Sequence, residues 1–200
     1  MSELFSYQTV KQKGESFYKD KGSKFYGFVF PITSEEDIKT LLDEIKAIHP
    51  KARHVCYAYR LGINETQEKA ADAGEPNGSA GLPILNQLRS SNLDNCLAIV
   101  VRYFGGTKLG IPGLINAYKT STQLTIEANK IITKELKKQY TLHTNFENAN
   151  LVFQLANQLE GNILEHDYSS AEVVFKLEIP LRLKESFEAK IEESQHLRLD

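Results

Sequence analysis

Residues 72–81 read DAGEPNGSAG and residues 102–113 read RYFGGTKLGIPG. We name them the first loop and the second loop. Each stands directly before a helical pattern, and the second follows the short apolar run 97–101, which is typical of a buried strand. Glycines let a backbone turn with positive φ and approach a ligand closely. A helix that begins at such a loop offers free N–H groups and a positive dipole end, so both loops predict an anion site.

The side chains of the loops suit a polyanion such as RNA, or a nucleotide. Arg102 and Lys108 suit phosphate. Tyr103 and Phe104 suit stacking on a base or sugar. The residues predicted to bind a ligand or RNA are Asp72, Glu75, Asn77, Gly78, Ser79, Gly81, Arg102, Tyr103, Gly105, Gly106, Thr107, Lys108 and Gly110. The alternative is that the glycines serve only tight turns and close helix packing.

Strand and helix patterns precede the first loop. Residues 5–32 are typical of two strands around a turn. Ser34 is predicted to cap a helix, with Asp37 completing a capping box and Pro50 ending the helix. Alternation at 54–61 then predicts a strand, followed by a polar loop.

Each loop is predicted to lead into a helix. Ser79 is expected to cap the short helix after the first loop, since serine is a preferred N-cap residue. A longer helix is expected after the second loop. Its predicted buried face consists of Leu114, Ala117, Tyr118, Ser121, Leu124, Thr125, Ala128 and Ile131.

The pattern changes after residue 132, where the glycine-rich loops end. The predicted elements are strand 134–143, helix 146–160, strand 162–168, strand 171–179, helix 183–193 and a strand near 195–199. The order βαββαβ is typical of the ferredoxin-like fold. We therefore predict an α+β protein with one domain at 1–132 and a ferredoxin-like domain at 133–200.

Composition limits the classes of function. The net charge is only −2, but residues 1–132 contain 16 Lys and Arg against 14 Asp and Glu, whereas 133–200 contain 8 against 12. A nucleic-acid surface is therefore expected in the first domain. The N-terminus does not resemble a signal peptide, and no stretch approaches the ~20 apolar residues of a membrane span, so we expect a cytoplasmic protein with no membrane contact.

Several kinds of site are not predicted. The two cysteines, Cys56 and Cys96, lie in strand-like stretches and are expected to be reduced core thiols. The five histidines are scattered without metal-binding spacing, so neither a metal site nor a cofactor is expected. Neither glycine-rich loop has the spacing of a P-loop or of GxGxxG, and no catalytic residues are assigned.

GEPNGSAG at 74–81, followed by VVRYFGGTKLG at 100–110, resembles the paired signature of the IMPACT/YigZ family. The resemblance covers about residues 20–131, and the later residues fit the extra domain of the bacterial members. It implies a first domain with the fold of the second domain of ribosomal protein S5, similar to domain IV of elongation factor G. The second domain is similar to domain V of that factor. Ala73 stands where the family usually has a second acidic residue.

Three hypotheses for the function follow. The first, which the resemblance favours, is a translation-associated protein that binds RNA or the ribosome and regulates translation, with Arg102, Lys108, Lys119 and Arg89 supplying charge. The second is an enzyme on a phosphorylated or nucleotide-like small molecule, with Asp72 or Glu75 as the general base. The third is an adaptor that binds a protein partner through the C-terminal domain.

Overall fold

The computed structural model describes residues 4–63, 65–168 and 172–200 as a mixture of helices and strands. The chain divides into two compact units. The N-terminal unit is Tyr7–Lys134, and the C-terminal unit contains residues 135–200 together with residues 4–6. The predicted α+β class is confirmed.

The first part of the chain, up to residue 135, alternates strands and helices. Its elements are β1 (Ser6–Val10), β2 (Gly14–Asp20), β3 (Ser23–Pro31), α1 (Glu35–Ile48), β4 (His54–Leu61), β5 (Gln67–Ala71), α2 (Gly81–Ser90), β6 (Cys96–Tyr103), α3 (Gly110–Glu127) and β7 (Ile131–Glu135). Five strands form an antiparallel sheet in the order β2-β3-β6-β4-β5, and β1 pairs with β7.

The five-stranded sheet carries helices on both faces. Helices α2 and α3 cover one face, and α1 covers the other with Ile38, Leu42 and Ile45. The central strand β6 is buried along nearly its whole length, which explains why residues 97–101 are continuously apolar rather than alternating. The predicted capping box of α1 is confirmed, because Ser34 accepts from the Asp37 N–H and Asp37 accepts from the Ser34 N–H.

The structure corrects three details of the predicted elements. Residues 5–32 contain three strands rather than two. The additional strand is β1, which pairs with β7, more than a hundred residues later in the chain. The predicted polar loop after β4 contains the edge strand β5, whose exposed, polar sequence lacks the apolar alternation of a half-buried strand. Leu124 and Ala128 are exposed, and Ile131 begins β7 rather than continuing α3.

The C-terminal unit has the βαββαβ order that the sequence predicts. Its elements are β8 (Lys137–Thr144), α4 (Ala149–Gln158), β9 (Asn162–Asp167), β10 (Val173–Pro180), α5 (Lys184–Glu192) and β11 (Arg198–Leu199), with 3-10 turns at Phe146–Asn148 and Leu181–Leu183. The antiparallel sheet order is β11-β8-β10-β9, so each βαβ connection skips one strand, as in ferredoxin-like folds. The first residue of the predicted strand 171–179 lies outside the described residues.

Both cysteines are free and buried in the N-terminal unit, as predicted. Burial, together with the nearby Glu75 and Asp72 carboxylates, raises the pKa of Cys56 to about 12. Burial also raises the pKa of Cys96, which is completely enclosed. Both side chains are therefore thiols rather than the reactive thiolate at physiological pH.

We expect the folded protein to resist a thiol reagent such as dithionitrobenzoate at mildly alkaline pH, whereas both cysteines react rapidly in denaturant. Burial removes the thiols from the reagent, and the raised pKa removes the thiolate. Thiol release measured by absorbance checks this. A native thiol that reacted as fast as a denatured one would show that Cys56 or Cys96 is accessible.

Candidate functional site

The two glycine-rich loops leave the same edge of the five-stranded sheet. The first loop connects β5 to α2, and the second connects β6 to α3. Both β5 and β6 run antiparallel to β4, which lies between them, so their C-terminal ends meet at one edge. A depression of about 340 Å³ is lined by Glu75 and Pro76 from the first loop and by Lys108 and Leu109 from the second. The loops therefore form one site.

The first loop satisfies its helix with its own carboxylate. Asp72 accepts hydrogen bonds from the backbone N–H groups of Gly78, Ala80 and Gly81, at 2.8, 2.9 and 2.8 Å. The prediction that Ser79 caps α2 is wrong, because the Ser79 hydroxyl is buried and donates to the Pro76 carbonyl at 2.6 Å. Asp72 thus occupies the place at the start of α2 where an external anion was expected.

The hydrogen bonds to Asp72 also set its charge. Burial raises the pKa of Asp72, but the three backbone N–H donors from Gly78, Gly81 and Ala80 together outweigh this effect. The pKa of Asp72 is therefore below its usual value. A carboxylate whose charge is stabilised in this way is a weak general base at neutral pH.

Replacing Asp72 by alanine is expected to lower the free energy of unfolding by about 2 kcal/mol, since it leaves two N–H groups at the start of α2 and one in the preceding loop without this acceptor. Above the pKa that Asp72 has in the unfolded chain, the variant lacks the full charge-dependent part of this stabilisation. The difference from the wild type becomes smaller as the pH falls through the lowered pKa of Asp72 in the folded protein. Denaturant unfolding at several pH values measures it.

The exposed Asp43, which pairs with the exposed Lys46 on α1, provides the matched control. Asp43→Ala is expected to change the free energy of unfolding by no more than about 0.5 kcal/mol. Equal losses for the two variants, or a loss for Asp72→Ala that is constant down to strongly acidic pH, would contradict the assigned role.

A buried ion pair joins the first loop to β6. Glu75 accepts from the Arg102 guanidinium and from the Tyr118 hydroxyl, both at 2.7 Å. The Glu75 and Arg102 side chains are only 4% and 7% exposed. The Cys56 thiol extends the network, since it donates to the Asp72 carbonyl at 2.9 Å and lies 3.3 Å from the Tyr118 oxygen. These hydrogen bonds thus connect four parts of the N-terminal unit, namely the first loop, β4, β6 and α3.

Arg102 is enclosed by two aromatic rings. Its guanidinium carbon lies 5.7 Å from the ring centroids of both Phe25 and Phe104. A second nitrogen lies 3.4 Å from the Ser23 hydroxyl, and Nε is buried without a hydrogen-bond partner among the described residues. A buried guanidinium requires a counter-charge, and Glu75 supplies it. Arg102, predicted as a phosphate ligand, is therefore already neutralised within the protein.

The second loop is held against the turn between β2 and β3. A Cβ at Gly105 would overlap the backbone of Gly22 and Ser23, and the Gly105 N–H donates to the Ser23 hydroxyl at 3.2 Å. Further along the loop, Gly106 and Gly110 have φ values of 91° and 71°. The N-cap residue of α3 is Leu109, whose side chain makes no capping hydrogen bond.

Gly105→Ala is expected to lower the free energy of unfolding by about 3 kcal/mol, because the new methyl group overlaps backbone atoms that cannot move independently. The matched control is Gly106→Ala, where a Cβ would meet open space and only the positive φ is unfavourable. We expect the control to cost about 1 kcal/mol. Similar thermal and denaturant stabilities for the two variants would contradict the close packing at Gly105.

Two further depressions adjoin Phe104. One, of about 340 Å³, is lined by Lys51, Arg53, His54, Arg102, Tyr103 and Phe104. The other, of about 360 Å³, is lined by Gly22, Lys24, Tyr26, His49, Tyr103 and Phe104. Phe104 also lines the depression shared by the two loops, so its ring stands where all three meet.

We name Lys24, Lys51, Arg53 and Lys108 the basic rim. All four are exposed and lie beside the three depressions. None of them forms an ion pair with any other residue that the structure describes. Lys51 and Arg53 are not among the residues that the sequence predicted. The available signal was the basic run Lys51-Ala52-Arg53-His54, which ends at the first residue of β4.

The structure separates the other predicted residues by role. Gly78, Ser79 and Gly81 shape the first loop around Asp72. Gly110 lines the depression shared by the loops, and the Tyr103 hydroxyl lies 3.1 Å from His49 Nδ1. Four of the residues named from the sequence are exposed but line none of the three depressions, namely Asn77, Gly106, Thr107 and Lys119. Arg89 is hydrogen-bonded to Glu68.

Two kinds of feature are absent from the described residues. No group of three or more His, Cys, Asp or Glu side chains in 4–63, 65–168 and 172–200 is arranged to hold a metal ion. Over the same residues, no helix combines the length and the apolar character needed to cross a membrane.

Comparisons with known proteins point to one family. The model of the Impact N-terminal domain matches residues 21–126. The chain is 33% identical to the IMPACT family member YvyE of Bacillus subtilis over 192 residues, covering 96% of this chain and 82% of that protein. It is 32% identical to the IMPACT family member YigZ of Escherichia coli, covering 86% and 84%. The crystal structure of a hypothetical protein is similar over 98% of this chain and 97% of that one, with TM-score 0.77 and 29% identity.

Proposed function

The chain belongs to the IMPACT family, and we propose that it is a translation-associated protein that binds RNA or the ribosome through its N-terminal unit. The proposed role is regulation of translation in the cytoplasm. The paired loop signature supports this role, because it is the feature by which the sequence resembles the family. The proposed contact surface is the basic rim around Phe104.

The observation that carries the proposal is the charge of this surface. Glu75 is the one acidic residue among those that line the three depressions, and Arg102 neutralises it. The positive charge of the basic rim is therefore not offset by a further carboxylate among the residues that line the three depressions. A chain with a net charge of −2 thus concentrates positive potential at the edge where the loops meet. Phosphate groups of RNA are the natural counter-charge.

The enzyme hypothesis depended on Asp72 or Glu75 as a general base. Asp72 accepts three backbone hydrogen bonds and has a lowered pKa, and Glu75 is buried against Arg102 and Tyr118. Replacing Glu75 would leave the Arg102 charge unpaired, so loss of activity in such a variant would report on folding rather than on catalysis. These contacts favour the binding hypothesis over the enzyme hypothesis.

The salt dependence of RNA affinity tests the proposal. We expect Lys108→Ala and the double variant Lys51→Ala/Arg53→Ala to weaken binding, and each lost phosphate contact to reduce the slope of log K against log salt by about one unit or less. Lys119→Ala is the matched control, because Lys119 is exposed in the same unit and lines none of the three depressions. Fluorescence anisotropy over a salt series measures both quantities. Unchanged affinity and slope in both rim variants would refute this surface.

An exposed aromatic cluster favours a protein partner at the C-terminal unit as a second candidate. Phe146 is 75% exposed and contacts the half-exposed Tyr168, and Phe153 and His166 complete the cluster. The cluster adjoins β9, which is an edge strand of the four-stranded sheet.

Co-sedimentation of the full chain with ribosomes separates the two candidates. Loss of association in Lys108→Ala but not in Phe146→Ala would support the RNA-binding surface. The reverse pattern would favour the protein partner.

A further inference from the structure

Phe104 is one of the exposed large apolar residues of the N-terminal unit. Its residue surface is 57% accessible, although the strand that precedes it, β6, is buried from Cys96 to Arg102. Single exposed apolar residues are common on protein surfaces and need no function. Phe104 differs because it lines all three depressions, and each of them is also lined by at least one cation of the basic rim.

The guanidinium of Arg102 packs over one face of the Phe104 ring. Arg102 lies between Phe104 and the buried Phe25, and Arg102 is itself held by Glu75 and Ser23. The next residue, Gly105, is packed against Gly22. One face of the ring therefore contacts a fixed guanidinium, which leaves the other side for a ligand. A preorganised aromatic ring loses little conformational entropy when it binds.

Cations stand on several sides of the ring. Lys24 lines one adjoining depression, Lys51 and Arg53 line the second, and Lys108 lines the third. A nucleotide stacked on Phe104 would therefore have cations near the phosphates that precede and follow it. Proteins that bind single strands combine aromatic platforms with flanking positive charge in this way.

This arrangement discriminates between single and double strands. In an A-form duplex each base face is covered by its neighbours, and a protein reaches mainly phosphates, 2′-hydroxyls and base edges. An exposed ring can stack only on a base that is already unpaired or splayed out. Phosphate contacts alone would not require the ring.

We propose that Phe104 is a stacking platform for one unpaired base, so that the RNA bound at the basic rim is single-stranded. This inference rests on the proposed function. It adds the form of the RNA and a residue that acts through its aromatic face rather than through charge.

The test compares a single-stranded RNA of about 12 nucleotides with a duplex of the same length. Anisotropy titrations use the full chain and the variants Phe104→Ala, Phe104→Leu and Phe104→Tyr. We expect the wild type to prefer the single strand. Phe104→Ala and Phe104→Leu should weaken single-strand binding about ten-fold or more, and Phe104→Tyr should retain most of it. The salt slope should stay unchanged, since no phosphate contact is lost.

Two controls keep the result interpretable. Phe104→Leu preserves an apolar cover over Arg102, so equal melting temperatures of this variant and the wild type exclude a folding defect. Phe17→Ala removes another exposed ring of the same unit, which lines none of the three depressions, and should leave binding unchanged. A 2-aminopurine base in the single strand should change fluorescence on binding to the wild type and not to Phe104→Leu.

The outcomes distinguish the two proposals. Binding of neither RNA by the wild type overturns the proposed function and this inference together. Salt-dependent binding that is equal for single strand and duplex, or unaffected by Phe104→Leu, leaves the proposed function intact and overturns the stacking platform. A reduced salt slope in Phe104→Leu would also overturn it, because the residue would then act through the neighbouring cations.

Discussion

The buried ion pair between Glu75 and Arg102 is the interaction on which the candidate site depends. Charges removed from water cost several kcal/mol each unless they are paired with good geometry, and loss of one partner leaves the other uncompensated. Here one carboxylate joins the first loop to β6 and, through Tyr118, to α3. The contact between Glu75 and Arg102 therefore sets the distance between the two loops.

The same pair determines which charges face solvent. Glu75 would place a negative charge at the edge of the sheet if Arg102 were absent, and Arg102 would be an exposed phosphate ligand if Glu75 were absent. Because the two neutralise each other inside the protein, the exposed charge comes from Lys24, Lys51 and Lys108, together with Arg53. The buried cation and the exposed cations are thus different residues, although Arg102 and Lys108 are close in sequence.

The starts of α2 and α3 look alike in sequence, since glycine-rich loops precede both. They differ in structure. Asp72 accepts hydrogen bonds from Ala80 and Gly81 at the start of α2 and from Gly78 just before it, whereas Leu109, the N-cap residue of α3, makes no side-chain capping bond. The first loop consequently contributes shape and rigidity, and the second contributes Phe104 and Lys108 to the exposed surface. Gly105 matters in this division because its close packing on Gly22 holds the second loop in place.

The sequence by itself determined the α+β class, the capping box of α1, the buried strand β6 and the βαββαβ order, because local periodicity and capping chemistry specify each. It also determined the position of the two loops and the family. Only the tertiary structure decided that Asp72 rather than Ser79 satisfies α2, that Arg102 is buried, and that Lys51 and Arg53 join the site. The physical reason is that these outcomes depend on partners brought together by the sheet. Residues 51–53 and 102 become neighbours only when β4 pairs with β6.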